Sequence, residues 1–291
     1  MKIGLIDVDS HNFPNLALMK ISAYHKQKGD TVEWWNGLQS YDIVYKSKVF
    51  TDTYSQDMEH CINADKIISG GTGYGLDNKL PDEIEHIRPD YSLYGIKDTA
   101  YGFLTRGCPR NCEFCIVSKK EGRKAVKVAE LSEFWQGEKN IVLLDPNITA
   151  SEDCEELFKD LINSGAWIEI TQGIDIRFMT EQKVNLINQM KLKILHFAWD
   201  NYEFNTYEKL KKFRPLLNFD SRKLKVYVLT NFNTTHEQDL ERVYKLRELD
   251  YDPFVMIYEK PTAPRETKRL ARWVNSKPIW RSCERFEDYR R

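Results

Sequence analysis

Between residues 101 and 258 the chain alternates short apolar segments with stretches of helical periodicity, and this alternation constrains the fold more than any other feature. Each apolar segment ends in polar or turn-forming residues, as buried strands of a parallel sheet do. Six segments follow the pattern: 101–105, 140–144, 167–171, 193–199, 225–230 and 254–258. Strands that alternate with helices predict an α/β fold whose ligand site lies at the carboxyl ends of the strands.

The N-terminal part of the chain shows the same alternation on a smaller scale. Strands are expected at 2–8, 31–35, 41–49 and 66–69, with a helix that has Pro14 near its start and extends to Gly29, and a helical turn at 57–63. A stretch rich in prolines and charges, 80–94, is typical of a linker. We therefore predict a Rossmann-like domain at 1–97, a second α/β domain at 98–260 and a helical tail at 261–291.

Three of the six cysteines, Cys108, Cys112 and Cys115, directly follow the first strand of the second domain. The intervals C-x3-C and C-x2-C allow three thiolates of one loop to bind a metal centre, as closely spaced cysteines of iron–sulfur proteins do. A structural zinc site has four Cys or His ligands, and neither a second cysteine pair nor H-x3-H follows. The pattern predicts a metal centre with one open coordination position; a chance cluster or a partial zinc knuckle is the alternative.

This loop resembles the signature of the radical S-adenosylmethionine (SAM) superfamily, C-x3-C-x-aromatic-C, with Phe114 in the aromatic position. In that family the cysteines hold three irons of a [4Fe–4S] cluster, and SAM chelates the fourth iron. One electron then cleaves SAM to methionine and a 5′-deoxyadenosyl radical, which abstracts hydrogen from a substrate. The resemblance implies a six-stranded (β/α)6 partial TIM barrel, SAM as cofactor, and a one-electron donor such as flavodoxin or ferredoxin as partner.

Polar residues at the ends of the predicted strands are the SAM-binding candidates that the resemblance implies. Asp145 stands where the family often has the glutamate of Gly-Gly-Glu, which holds the SAM amino group. Asp200 or Asn231 resembles the group that meets the ribose hydroxyls, and the backbone at Tyr258 is expected near adenine. The full set is Phe114, Asp145, Asn147, Gln172, Asp175, Arg177, Asp200, Asn231 and Tyr258.

Each of these polar residues also has a plainer interpretation. Asp and Asn cap helices and form turns. Asp175 and Arg177 are two residues apart and so share one face of an extended segment, where a simple ion pair is the rival interpretation. The sequence indicates neither the substrate nor a catalytic residue.

The N-terminal domain resembles the cobalamin-binding domain that precedes the radical module in one branch of the superfamily. That domain carries D-x-H-x-x-G, whose histidine ligates cobalt; here His11 is present, but Pro14 replaces the glycine. Ser47 and the pair Gly70 and Gly71 fall near the family's serine and glycines. Proline adds a ring and removes a donor where glycine allows close approach. We therefore expect that cobalamin does not bind and that His11 caps a helix; a cobalamin-dependent methyl or group transferase is the alternative.

The distribution of charge narrows the classes of binding partner. With 43 Lys and Arg against 44 Asp and Glu, the formal net charge is −1, which does not favour steering to nucleic acid or membrane. Basic and aromatic residues of the tail, including Trp273 and Trp280, would suit nucleic acid, but we favour a packed helix with buried tryptophans. The basic run at 119–127 is a solvated face or meets an acidic substrate or electron donor.

The remaining sequence features indicate the cellular location of the protein. The chain opens without a signal-peptide pattern, no window resembles a membrane span, and Cys61, Cys154 and Cys283 are scattered. We therefore expect a cytoplasmic protein. The predicted function is a radical SAM enzyme acting on an unknown substrate; the alternative from another class is an iron–sulfur electron-transfer protein without SAM chemistry.

Overall fold

The computed structural model describes residues 1–10, 13–51, 54–57, 62–202 and 205–290, and it comprises two compact units. Unit 1 is Met1–Gly102 with Ala129–Ile141, and unit 2 is Phe103–Val128 with Val142–Arg291. His11, Cys61 and most of the helical turn expected at 57–63 lie outside the described residues. The domain boundaries after residues 97 and 260 stay predictions.

Unit 1 contains a parallel four-stranded sheet in the order β2-β1-β3-β4. Its elements are β1 (Lys2–Asp7), α1 (Leu16–Gln27), β2 (Thr31–Trp34), β3 (Tyr41–Ser47), β4 (Ala64–Gly70), α2 (Asp82–Glu85) and β5 (Thr99–Gly102). The helix α1 begins after Asn15, whose side chain accepts a hydrogen bond from the Leu18 amide at 3.2 Å. Ile3, Leu5 and Leu18 are fully buried and join the helix to the sheet.

From Phe103 onward, strands and helices alternate. The elements are β6 (Thr105–Arg106), α3 (Val117–Lys120), β7 (Val126–Lys127), β8 (Asn140–Leu143), α4 (Cys154–Ser164), β9 (Trp167–Ile174), α5 (Glu181–Gln189), β10 (Lys191–Ala198), α6 (Thr206–Phe213), β11 (Leu224–Thr230), α7 (His236–Glu248), β12 (Asp252–Ile257), α8 (Arg265–Asn275) and α9 (Lys277–Ser282). One sheet has the order β12-β11-β10-β9-β8-β5, with β9 to β12 parallel. The molecule is therefore a mixed α/β protein with parallel sheets, as expected; closure of the larger sheet into a partial barrel stays a proposal.

Several local expectations were wrong. The strand expected at 101–105 is divided into β5 and β6, and β6 pairs antiparallel with β7. The stretch 80–94 is not a plain linker, because Ile84 and Tyr91 are buried and order α2 and a 3-10 turn. Helix α6 was not predicted from the sequence.

The C-terminal helices pack as expected. Trp273 is fully buried and Trp280 is 9% exposed, in a cluster that includes Val243 of α7 and Val255 of β12. The basic residues Arg265, Lys268 and Arg272 on α8 are exposed. Among the helices of the described ranges, none is long and apolar enough to cross a membrane.

Candidate functional site

The cysteine loop begins directly after β6 with Gly107, and the surrounding backbone requires glycine at this position. Gly107 has φ +84°, and a Cβ there would lie 2.2 Å from the Lys124 carbonyl oxygen, so no other residue fits without moving backbone. The Cys108 amide donates to the Gly122 carbonyl at 3.1 Å. The Glu121 carboxylate accepts from the Gly107 amide at 3.2 Å and pairs with Arg106 at 2.9 Å. The segment that follows the loop therefore holds the start of the loop in place.

The three cysteine thiols lie near one another. All three are partly buried; burial raises the pKa of Cys115, and the Cys108 thiol raises it further. Burial likewise raises the pKa of Cys112, with a smaller contribution from Cys115. The five described cysteines are all free, and Cys154 and Cys283 lie on α4 and in the tail.

The donor set of the cysteine loop consists of three thiols. Within the described part of the chain, no three His, Cys, Asp or Glu side chains converge closely enough to hold one ion. In an iron–sulfur cluster, separate cysteines bind separate irons, so their sulfurs need not meet at one point. Three neighbouring thiols on one clamped loop fit that requirement.

Asn147 connects the cysteine loop to the polar ends of β8 and β9. It is 3% exposed, and its amide nitrogen lies 3.4 Å from the Cys108 sulfur and 3.5 Å from an Asp175 carboxylate oxygen. The Thr149 hydroxyl donates to the Asn147 side-chain oxygen at 3.0 Å and accepts from the Asp175 amide at 3.2 Å. Arg177 binds both Asp175 carboxylate oxygens, at 2.6 and 3.0 Å, so the expected ion pair is present beside the loop.

Asp200, directly after Trp199 at the end of β10, belongs to the same neighbourhood. Burial raises its pKa to about 6, while the guanidinium groups of Arg242 and Arg177 oppose the rise. The Asp200 carboxylate in turn raises the pKa values of the Cys112 and Cys115 thiols, after the larger effect of burial. A carboxylate, a guanidinium and the cysteine loop are therefore close enough to interact electrostatically.

An aromatic row extends from the cysteine loop to the end of β12. The ring centroids of Phe114 and Phe232 are 5.5 Å apart, and those of Phe232 and Tyr258 are 5.0 Å apart, both edge to face. Asn231 has φ +62°, and its side chain donates to the Tyr258 carbonyl at 2.8 Å. The turn after β11 thus places Phe232 between the two aromatic residues predicted from the sequence.

Asp145 follows the end of β8, whereas Gln172 lies within β9. Asp145 is fully buried, and its carboxylate accepts from the Leu104 amide at 3.1 Å, the Thr105 hydroxyl at 2.7 Å and the Thr105 amide. Gln172 is exposed and lies within β9, not after it. The SAM-binding roles of both residues stay predictions, and the contacts of Asp145 favour a different role.

Three residues of this neighbourhood, Phe232, Thr149 and Arg242, were not predicted from the sequence. Phe232 directly follows Asn231, and Thr149 lies two residues after Asn147, so proximity to predicted strand ends was an available signal. Arg242 lies in the middle of α7, where a basic residue normally indicates a solvated helix face. No pattern in the sequence distinguishes it.

In unit 1, the residues that resemble a cobalamin site contact neighbouring parts of the chain. Asp9 accepts from the amides of Val49 and Phe50 at 2.8 and 2.9 Å, and Asn15 donates to the Ser47 hydroxyl at 2.9 Å. A Cβ on Gly71 would lie 2.3 Å from the Lys48 carbonyl oxygen. The chain's own loops therefore occupy the space beside these groups, except at Gly70, where a Cβ would meet nothing within 4 Å.

The three cysteines follow β6, and polar side chains follow β8, β9 and β10. Among solved structures, the radical SAM methyltransferase TsrM from Kitasatospora setae, with cobalamin and a [4Fe–4S] cluster bound, matches 88% of this chain and 74% of its own, at 12% identity and a TM-score of 0.63. The predicted resemblance is thereby confirmed at the level of the fold.

A second solved structure shows a weaker likeness. Streptococcus suis SuiB bound to SAM matches 70% of this chain and 52% of its own, at 13% identity and a TM-score of 0.45. No protein-family model and no curated protein sequence matches the chain. Because TsrM was solved with cobalamin, the comparison does not support the expectation that cobalamin is absent.

Proposed function

We propose that this protein is a radical SAM enzyme and that Cys108, Cys112 and Cys115 hold a [4Fe–4S] cluster. The observation that carries the proposal is the cysteine loop, on which all three cysteines are partly buried; after the larger effect of burial, the Cys108 thiol raises the pKa of Cys115, and the Cys115 thiol raises that of Cys112. When bound, the cluster and SAM supply one-electron reduction and hydrogen abstraction. The protein's own residues bind, orient and shield these groups.

The strand ends offer a partner for each polar part of SAM. The amino group of SAM suits the carboxylates of Asp175 and Asp200, its carboxylate suits the Arg177 guanidinium, and its ribose hydroxyls suit Asp200 or Asn231. The Asn147 amide, 3.4 Å from the Cys108 sulfur, stabilises the thiolate by donating to it. The row of Phe114, Phe232 and Tyr258 excludes water on the adenine side.

We assign Asp145 to the cysteine loop instead of to SAM. Its buried carboxylate holds the backbone of Leu104 and Thr105, three residues before the first cysteine. Buried acceptors of this kind fix the conformation of the chain because an amide left without a partner is costly. Asp145 therefore orients the backbone that leads into Cys108.

One experiment separates the enzyme from an iron–sulfur electron carrier. The protein is reconstituted anaerobically with iron and sulfide and incubated with SAM and dithionite. Release of 5′-deoxyadenosine or of a methylated product is expected, and a Cys115→Ala variant should release neither. A wild-type protein with four irons per chain that leaves SAM intact would contradict the proposal and favour the electron carrier.

A second candidate is cobalamin-dependent methyl or group transfer, which the likeness to TsrM favours. The test is cobalt content and corrin absorption after anaerobic purification with cobalamin supplied, in the wild type and in His11→Ala. Stoichiometric cobalt that is lost in His11→Ala would establish this candidate. Cobalt-free wild type would leave unit 1 as a scaffold or substrate-recognition module, as the filled space beside Gly71 suggests.

The electron donor that we propose is an acidic protein of the flavodoxin or ferredoxin type. Lys119 and Arg123 are exposed and lie on the segment that follows the cysteine loop, with the apolar side chains of Ile116 and Val126 45% and 41% exposed nearby in sequence. Exposed apolar groups with a charged rim are typical of transient interfaces.

A further inference from the structure

Arg242 is a fully buried charged residue that the proposed chemistry does not use. It lies on α7 with 0% of its surface exposed, and burial lowers its pKa. Its charge is balanced by Asp239, whose carboxylate oxygen lies 2.6 Å from Nη2, and the Thr234 hydroxyl donates to the same oxygen at 2.6 Å. A buried guanidinium is retained in a fold only when its donors are well matched.

Two further hydrogen bonds of Arg242 reach the ends of two neighbouring strands, while its buried Nε has no hydrogen-bond partner among the described residues. Nη1 donates to the Trp199 carbonyl at 2.5 Å, and Nη2 donates to the Leu229 carbonyl at 2.7 Å. Trp199 directly precedes Asp200, and Leu229 lies two residues before Asn231. One rigid group therefore holds the backbone from which both predicted ribose-binding residues project.

We propose that Arg242 is a positioning residue that sets the relative placement of Asp200 and Asn231 for SAM binding. This inference rests on the proposed function. The planar guanidinium presents several donors in a fixed geometry, so it can bind two carbonyls and a carboxylate together, whereas a lysine ammonium lacks this planar arrangement. Loss of the group frees the ends of β10 and β11 without touching the cysteine loop.

Arg247 provides a matched control on the same helix. It is partly buried, and its guanidinium also donates to two backbone carbonyls, those of Trp280 and Glu284. Both carbonyls belong to the C-terminal tail, away from the strand ends. Arg242→Gln and Arg247→Gln therefore each remove from one helix a guanidinium that binds two backbone carbonyls, but only the first removes it from the rim of the predicted SAM site; only the first also leaves a buried acid, Asp239, without its ion-pair partner.

The test compares the SAM dissociation constant, the iron content and the melting temperature of the reconstituted variants. We expect both variants to retain four irons and to lose thermal stability, and only Arg242→Gln to weaken SAM binding, by about 10- to 100-fold as for other residues that orient binding groups. Equal SAM affinity in Arg242→Gln and Arg247→Gln would overturn the inference. Wild-type protein that holds the cluster but does not bind SAM would instead refute the proposed function.

A second measurement does not depend on SAM. In the cluster-free protein, backbone amides at 199–201 and 229–232 should exchange with deuterium faster in Arg242→Gln than in Arg247→Gln or wild type. If Arg242→Gln does not fold, Arg242→Lys replaces it, because it keeps the charge but loses the planar donor set, and the same two results are expected. Wild-type exchange at both strand ends together with wild-type SAM affinity would show that Arg242 only fills the core.

Discussion

Replacing Asp145 by alanine tests how the cysteine loop is held. The side chain is fully buried and accepts hydrogen bonds from two backbone amides and one hydroxyl. Alanine leaves the amides of Leu104 and Thr105 without an acceptor. Each unsatisfied buried donor costs about 1–3 kcal/mol, which gives a loss of roughly 2–6 kcal/mol in the free energy of unfolding.

The destabilisation caused by Asp145→Ala should become smaller as the pH rises. Burial raises the pKa of Asp145 from 3.8 to about 6, so the folded state keeps the proton at pH values where the unfolded chain has released it. The contribution of this group to wild-type stability is therefore fully present below pH 4 and falls as the pH rises to about 6, by roughly 3 kcal/mol. The Asp145→Ala variant lacks this pH-dependent contribution. The difference in the free energy of unfolding between wild type and variant should therefore be larger at pH 4 than at pH 7.

The assay is urea unfolding of cluster-free protein at both pH values, followed by iron analysis after reconstitution at neutral pH. We expect Asp145→Ala to bind less iron than wild type, because the backbone that leads to Cys108 is released. Asp153→Ala is the control, since Asp153 makes no side-chain capping bond to α4 and lies after β8 as Asp145 does. If Asp145→Ala kept the wild-type free energy of unfolding and its full iron content but lost SAM affinity, the reasoning would be refuted and Asp145 would be assigned to SAM binding.

Three further predictions concern the same unit. Cys115→Ala should fail to assemble a four-iron cluster by iron analysis, whereas Cys283→Ala, in the tail, should assemble it fully; an intact cluster in Cys115→Ala would disprove the ligand assignment. Phe232→Ala removes the ring between two aromatic neighbours and should raise the SAM dissociation constant about 10-fold, with Phe232→Leu intermediate; an unchanged constant would remove Phe232 from the site. Lys119→Glu should raise the KM for reduced flavodoxin while leaving the dithionite-driven rate of SAM cleavage unchanged, and a loss of both would place Lys119 in another role.

Strands were predictable from the sequence because their determinants are local. The apolar run at 225–230 became β11 with little change. The helix α6 was missed because its apolar residues Leu210 and Phe213 are few and lie among lysines. Periodicity in so short a helix is a weak signal.

The candidate site was only partly predictable, for a different reason. The cysteines and the aromatic Phe114 form a motif within one loop, and a motif can be recognised without knowing the fold. Asp145 and Arg242 each bind a backbone group about 40 residues away in the chain, and backbone groups carry no sequence pattern. Tertiary contacts therefore decide which carboxylate faces a ligand and which one binds backbone amides of the chain.

The antiparallel pairing of β6 with β7 has a consequence for how the protein acquires iron. Thr105 is opposite Lys127 and Arg106 is opposite Val126, so the polypeptide on either side of the three cysteines is joined before any metal arrives. Much of the conformational entropy that a free loop would lose on chelation has already been lost during folding. Many small metalloproteins fold only when their ion is present; here the iron-free form should be a folded intermediate in maturation that can be isolated and loaded afterwards.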